Sequence, residues 1–145
     1  MKLVIQRVKK AKVTSEGKTV GQIDRGLFIL LGVGKQDSFN TVFAMAQKCV
    51  ELRIMADKDG KMNLSVKDMG GEILIVSQFT LYADTSGGRR PSFVNAAEPD
   101  LARQVYERFV QSLKELGVKV EIGSFGNYME IESAADGPVT IILES

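Results

Sequence analysis

Four adjacent residues, Ser77-Gln78-Phe79-Thr80, mark the place where this chain is equipped to do chemistry. The apolar run Ile73-Leu74-Ile75-Val76 ends there and gains a hydroxyl, an amide and a second hydroxyl. Polar groups at the end of a buried strand are a common way to place a few hydrogen-bonding groups in an apolar pocket. The chain contains no histidine. That removes Ser-His-Asp and Cys-His relays, imidazole bases and every His-ligated metal site. Ser77 and Thr80 therefore lack a histidine to activate them. The chemically credible role for the segment is electrostatic, with the Gln78 amide and backbone N–H groups as donors to a developing oxyanion. Spacing alone leaves a second reading open, a sheet edge that simply reaches water.

Gly137-Pro138 is the second special position. An X-Pro bond is the one peptide bond where the cis form is cheap, about 0.5–1 kcal/mol above trans. A cis Gly-Pro turn would aim adjacent carbonyl oxygens the same way while lacking the proline N–H, making a rigid wall of acceptors. The dipeptide by itself fits an ordinary trans hairpin turn more often. Arg7 is the third, because alternation along a strand puts it on the face of Leu3 and Ile5. A lone arginine on an apolar face calls for a specific anion or interface partner, unless the face turns outward after Ile5.

Three other patterns carry less. Leu31-Gly32-Val33-Gly34-Lys35 follows an apolar run and precedes a helical one, but Asp37 stands where a dinucleotide fingerprint needs glycine. No Gly-Lys-Ser/Thr closes a phosphate loop either, so the segment reads as a tight strand-to-helix turn. Asp57-Lys58-Asp59-Gly60 begins like a calcium loop without the remaining ligands and reads as a hairpin turn. Cys49 lies on a helical apolar stripe, where a thiol acts as a small core hydrophobe.

The elements that must position these residues follow from periodicity. Leu3 to Val13 and Thr19 to Ile23 read as strands around a turn at residues 14–18, and Leu27 to Val33 as a strand buried on both faces. The spacing of Val42, Met45, Ala46, Cys49 and Val50 predicts a helix from about Asn40 to Arg53, with Asp37, Ser38 or Asn40 as N-cap. Strands are expected over Met62 to Val66 and Glu72 to Tyr82. A long Gly-, Arg- and Pro-containing loop over residues 83–98 suggests function or partner contact. A second helix begins near Pro99, with Leu101, Val105, Phe109, Leu113 and Leu116 on its inner stripe, and stops at Gly117. Val118 to Ile122 is a strand, and Tyr128 to Glu132 and Val139 to Leu143 form a final pair. The element order lacks regular βα alternation. The expected fold is α+β: one domain over residues 1–145, a curved barrel-like mixed sheet with two helices packed outside.

Bulk properties set outer limits. A chain of 145 residues buries roughly 68% of its unfolded surface and needs no staples. One cysteine makes no internal disulfide. No apolar run reaches the ~18 residues of a membrane span, and Met1-Lys2-Leu3-Val4 enters a strand pattern without a signal-peptide layout. The expected address is the cytoplasm, without membrane attachment. Net charge is +1, but six basic residues and only Glu16 fall within residues 1–20, while five acidic residues and no basic one fall within 121–145. Such polarity suits one face for phosphates and another for a cation, or describes solvated strand faces.

Together these segments resemble the D-aminoacyl-tRNA deacylase family across essentially the whole chain. The resemblance is carried by Asp59 to Val66, Gly70-Gly71-Glu72-Ile73-Leu74, Val76 to Asp84, Arg90-Pro91-Ser92-Phe93 and Asp136-Gly137-Pro138-Val139-Thr140. Ser-Gln-Phe-Thr and Gly-Pro-Val-Thr are the two signatures of that family. The resemblance implies hydrolysis of the ester joining a D-amino acid, or glycine, to the terminal adenosine of tRNA, with no cofactor and no metal. It also implies a homodimer in which a cis Gly137-Pro138 turn enters the partner's pocket and excludes L side chains. Ser77, Gln78, Phe79 and Thr80 then line the ester site, with Thr80 as nucleophile or the ribose 2′-hydroxyl assisting. Phe125 and Met129 pack against adenine, and Arg7 organises the pocket or the dimer seam. Two positions depart from the family pattern: Ala135 stands where asparagine is common, and Tyr128 replaces an acidic residue.

Overall fold

The computed structural model describes residues 1–145. Strand β1, Lys2–Ser15, is long enough to serve three neighbours. Its end meets β2, Lys18–Ile23, through a two-residue turn in which Glu16 and Gly17 both have positive φ, the geometry a tight antiparallel hairpin requires. Strand β3, Gly26–Gly32, pairs antiparallel with the first half of β1. After a 3-10 turn at Phe39–Thr41 comes helix α1, Val42–Glu51, then a small hairpin of β4, Met55–Ala56, and β5, Met62–Leu64. Strand β6, Glu72–Ser77, lies parallel to β3. Helix α2, Pro99–Glu115, crosses over to β7, Lys119–Ile122, which is parallel to β6. Strand β8, Glu130–Glu144, runs antiparallel along β1.

The sheet order is β2-β1-β3-β6-β7, with β8 on β1, and β2 curls back to pack over β6 and β7. The α+β reading therefore holds: a mixed, barrel-like sheet with two helices outside. Two parallel crossovers, through α1 and α2, are embedded in an otherwise antiparallel sheet. Both sheet faces are buried in the centre, which explains the unbroken apolar runs of β3 and β6. The helices cover one face, where Leu3, Ile5, Ile29 and Ile75 meet Val42, Cys49, Val105 and Phe109. The curl encloses a second cluster of Val8, Val13, Ile23, Phe28, Leu74 and Val76. No helix is long and apolar enough to cross a membrane.

Three expectations need correction. The strand predicted over Glu72 to Tyr82 ends at Ser77, and Phe79–Tyr82 is a 3-10 turn. Its ladder closes when the Gln78 N–H donates to the Leu31 carbonyl at 2.8 Å, and the Gln78 carbonyl then accepts from Leu81 within the turn. Residues 128–143 are not a pair of strands facing each other, because both halves of β8 pair with β1. The first helix has no side-chain N-cap. Asp37 is committed elsewhere, accepting from the Gly34 N–H at 2.7 Å and the Tyr82 hydroxyl at 3.2 Å.

The charge asymmetry between the two ends of the chain has a plain structural meaning. Antiparallel pairing of β1 with β8 sets the basic strand beside the acidic one. Lys2 pairs with Glu144 at 3.3 Å, Arg7 with Asp136 at 3.3 Å and Lys12 with Glu132 at 2.7 Å.

Candidate active site

A cavity of about 620 Å³ opens where β6 ends. Ser77, Gln78 and Phe79 border it on one side, Phe93, Ala96, Ala97 and Glu98 on another, and Phe125 and Met129 opposite. Thr80 lies outside the lining, exposed, and its Oγ1 accepts a hydrogen bond from Gln78 Nε2. The first hydrogen bond inside the 3-10 turn is Leu81 N–H to the Gln78 carbonyl at 3.3 Å. The N–H groups of Phe79 and Thr80 come before it, so they have no partner within the turn and remain available as donors.

Packing holds this turn in place. Phe79 meets Phe93 edge to face, with centroids 5.0 Å apart. At the other end of the turn Tyr82 is wedged against Gly34, where a Cβ would lie 2.7 Å from the ring. Burial, then the Asp37 carboxylate it donates to, push the Tyr82 phenol well above its ordinary range, so it stays a donor. Gly34, which looks like part of a phosphate loop in sequence, instead makes room for the ring that anchors the Phe79–Tyr82 turn.

The far wall is equally fixed. Tyr106 donates to the Ile75 carbonyl at 3.0 Å, tying α2 to β6. Phe125 packs on Tyr106 at 5.7 Å and is covered by the Arg103 guanidinium at 4.5 Å. Met129 Sδ accepts from the Ser124 N–H at 3.2 Å. Glu98 is the one carboxylate on the lining. Tyr128, 84% exposed, stands at the rim, and its carbonyl accepts from Ser15 Oγ at 2.8 Å.

Arg7, Gly137 and Pro138 are elsewhere. Val8 pairs with Ala135 and Gln6 with Thr140, so residues 136–139 bulge out of β8 opposite Arg7. The Gly137-Pro138 bond within the bulge is cis. Gly137 has φ +138°, and a Cβ there would meet the Val139 nitrogen at 2.8 Å, so only glycine suits the position. Arg7 is buried beneath the bulge. Its Nε donates to the Asp136 carbonyl at 2.9 Å and its Nη1 to the Ile54 carbonyl at 2.7 Å, with the Asp136 carboxylate beside it. The face of β1 does not turn outward after Ile5, and Arg7 braces the bulge from below. Ala135 belongs to the ladder and makes no part of that brace. Within one chain the two signature segments do not share a cavity.

The sequence reading missed Phe93, Glu98, Pro99 and Ala102 as lining residues. The unusual length of the loop over 83–98 was the available signal for the first two. Nothing in the sequence points to Ala102, a small residue whose value is the space it leaves.

An apolar cavity bordered by unpartnered main-chain N–H groups, in a chain without histidine, suits the binding and polarising of a carbonyl group. The chain belongs to the D-Tyr-tRNA(Tyr) deacylase family, whose model matches residues 4–144. It is 54% identical over 145 residues to a D-aminoacyl-tRNA deacylase of Thermosipho africanus, covering 100% of this chain and 97% of that one. It is 53% identical to one from Desulfatibacillum aliphaticivorans, covering 100% and 99%. Among solved structures, a c-Myc DNA unwinding element binding protein superposes with a TM-score of 0.94 at 39% identity, covering 100% and 99%. A probable eukaryotic D-amino acid tRNA deacylase shares the fold, with a TM-score of 0.82 at 17% identity, covering 98% and 97%.

Proposed function

We propose that this protein hydrolyses the ester between a D-amino acid, or glycine, and the terminal adenosine of tRNA, releasing free amino acid and tRNA. The observation that carries this reading is the free N–H groups at the start of the Phe79–Tyr82 turn, at the rim of an apolar cavity that offers no imidazole base. The ester carbonyl oxygen is held by the Phe79 N–H and the Gln78 amide, which stabilise the oxyanion formed when water adds to the carbonyl carbon. The terminal ribose 2′-hydroxyl relays the proton of that water to the departing 3′-oxygen. Thr80 is not a nucleophile in this scheme: it has no base beside it and its oxygen already accepts from Gln78. Phe125 and Met129 supply the apolar wall for adenine.

Discrimination between hands comes from a second copy of the chain. The Gly137-Pro138 bulge is exposed and lines no part of its own cavity, on a strand that pairs only with β1 and shows Ile131 and Ile142 to solvent. A homodimer covers these residues and brings the bulge of one copy to the cavity of the other. Its carbonyls crowd an L side chain and leave room for a D one, a specificity built from exclusion. The cytoplasm, where tRNA is charged, is the compartment for this activity.

The test is to follow ester loss from matched D- and L-aminoacyl-tRNA, with glycyl-tRNA alongside. Cleavage confined to the D and glycyl esters supports the proposal; equal cleavage of L, or none, refutes it. Binding of uncharged nucleic acid without any cleavage supports the second reading, a nucleic-acid-binding module, which the name of the 39%-identical structural relative favours.

A further inference from the structure

The cations of this protein divide into those already neutralised and those left free. Lys2, Arg7 and Lys12 are matched to carboxylates across the β1–β8 ladder. Lys10 acts on the same Glu132 that binds Lys12. The basic amino-terminal strand, the obvious candidate for a phosphate track in sequence, is largely occupied in holding β8. Arg89, Arg90 and Arg103 are all exposed, and none joins the six ion pairs of the molecule.

These three arginines lie on the two segments that run up to the cavity walls at Phe93 and Phe125. Arg103 projects from α2 over the ring of Phe125, 4.5 Å from its centroid, and Phe125 is cavity wall. Arg89 and Arg90 belong to a loop pinned at its base by reciprocal backbone bonds between Asp84 and Ser92, each 2.8 Å. Asp84 also accepts from the Ser86 N–H at 2.9 Å, which stiffens the rising arm. The residue after the pinned base is Phe93, packed on Phe79 at the cavity's other wall. Arg90 is two residues from Ser92, so its Cα stays within roughly 7 Å of that base. The segments that carry the two walls of the cavity therefore each carry free arginines.

A deacylase holds the terminal nucleoside of its substrate inside the cavity. The rest of the RNA must leave through the mouth carrying one negative charge per nucleotide. Guanidinium groups bind phosphate oxygens in a fork geometry that lysine lacks. Resting on the deacylase reading, we propose that Arg89 and Arg90 on the loop and Arg103 on α2 form a phosphate grip. It holds the departing RNA strand by its first phosphodiester groups outside the terminal nucleoside. The loop and α2 thereby set the direction from which the acceptor end enters.

Two substrates test the grip: D-aminoacyl-tRNA, and the same D-amino acid esterified to the 3′-hydroxyl of adenosine, which has no phosphate. Arg89→Ala combined with Arg90→Ala is expected to raise KM for the tRNA about tenfold, and to flatten the dependence of log KM on log salt by about 0.7 for each phosphate no longer held. The effect on the adenosine ester should be several-fold smaller. Arg103→Met keeps an apolar cover on Phe125 and should show the same contrast. Lys9→Ala with Lys10→Ala should shift KM for the tRNA less than the loop pair does. Equal losses on both substrates, or an unchanged KM and salt slope with tRNA, overturn the grip. If the unaltered protein cleaves neither ester, the deacylase reading fails, and salt-dependent binding of uncharged tRNA then tests the grip alone. Weaker binding by the arginine variants supports it; binding that they leave intact, or none, overturns it.

Discussion

Strands β6 and β8 are each interrupted, and the two interruptions do opposite things. At Ser77 the ladder between β6 and β3 stops, and a 3-10 turn releases backbone donors at the edge of a cavity. At Asp136 the ladder between β8 and β1 is only suspended. Four residues, 136–139, swell outward and the pairing resumes at Thr140. The first break makes a socket held by packing, with Phe93 at one end and Tyr82 against Gly34 at the other. The second makes a ridge held by charge and hydrogen bonds, through one buried arginine. A single chain carries both and does not bring them together. The socket should therefore respond to changes of volume, and the ridge to loss of a charged donor.

The largest effect should come from Arg7→Ala. It strips donors from two carbonyls and leaves Asp136 without its partner, a loss of about 3 kcal/mol for breaking a buried, hydrogen-bonded charge contact. Urea unfolding measures it, and deacylation should fall with it. Arg7→Lys should recover only part, since one ammonium cannot reproduce both directions of the guanidinium fork. An Arg7→Ala protein as stable as the original would remove the distinction between a charge-held ridge and a packed socket.

Next in size is a pair of glycine variants. Gly137→Ala strains the ridge, where φ is +138°, and Gly34→Ala presses a methyl into the Tyr82 ring and displaces the turn. Each should lower activity at least tenfold, the equivalent of about 1.4 kcal/mol in the barrier. Mixed and allowed to exchange subunits, they should regain up to about a quarter of normal activity, because half the dimers are mixed and each of those holds one undamaged composite site. A mixture no better than its components would sink the idea that ridge and socket meet across two copies.

Thr80→Ala should matter less. With Thr80 outside the cavity lining and no base beside it, the variant is expected to keep activity within about tenfold of normal, well short of the drop caused by removing a true nucleophile. A covalent aminoacyl adduct at Thr80, absent from the variant, would reverse that assignment.

The smallest effect concerns the ridge's second support. Arg7 also donates to the Ile54 carbonyl, just ahead of the β4–β5 hairpin. Backbone N–H groups of Lys61 and Asp59 hold the Asp57 carboxyl below the ordinary range, and the Ser65 N–H and hydroxyl do the same for Asp68. Folded-state values below unfolded ones mean that the contribution is present above about pH 4, the unfolded carboxylate value. It is lost as pH falls through the lowered folded values. Urea midpoints at neutral pH and near pH 3 should therefore converge slightly when Asp68→Asn is introduced.

Much of the fold was legible because it is written in local periodicity. The alternation of β1, the apolar runs of β3 and β6 and the helical spacing from Val42 to Val50 are all short-range patterns. Cys49 is a case in point: its place on the stripe predicts burial, and burial pushes its thiol up to about 12. The end of β6 was misread because Phe79-Thr80-Leu81-Tyr82 has strand composition, while the Gln78 carbonyl found its partner inside a turn. The opposed charges of the two chain ends were visible, but that they neutralise each other depends on β8 pairing with β1.

The sequence by itself determined the class of fold, the lack of any imidazole chemistry and the two breaks in strand character at Ser77 to Thr80 and at Gly137-Pro138. It did so because residue type, count and spacing are properties of neighbours along the chain. Tertiary structure alone decided that Ser77 to Phe79 border a cavity, that Thr80 stands outside it, and that Arg7 braces the Gly137-Pro138 ridge from outside its own chain's cavity. Those outcomes turn on contacts between residues as far apart as Arg7 and Asp136, which no local pattern encodes. They are set by which hydrogen-bond partners and which volumes remain once the sheet has closed.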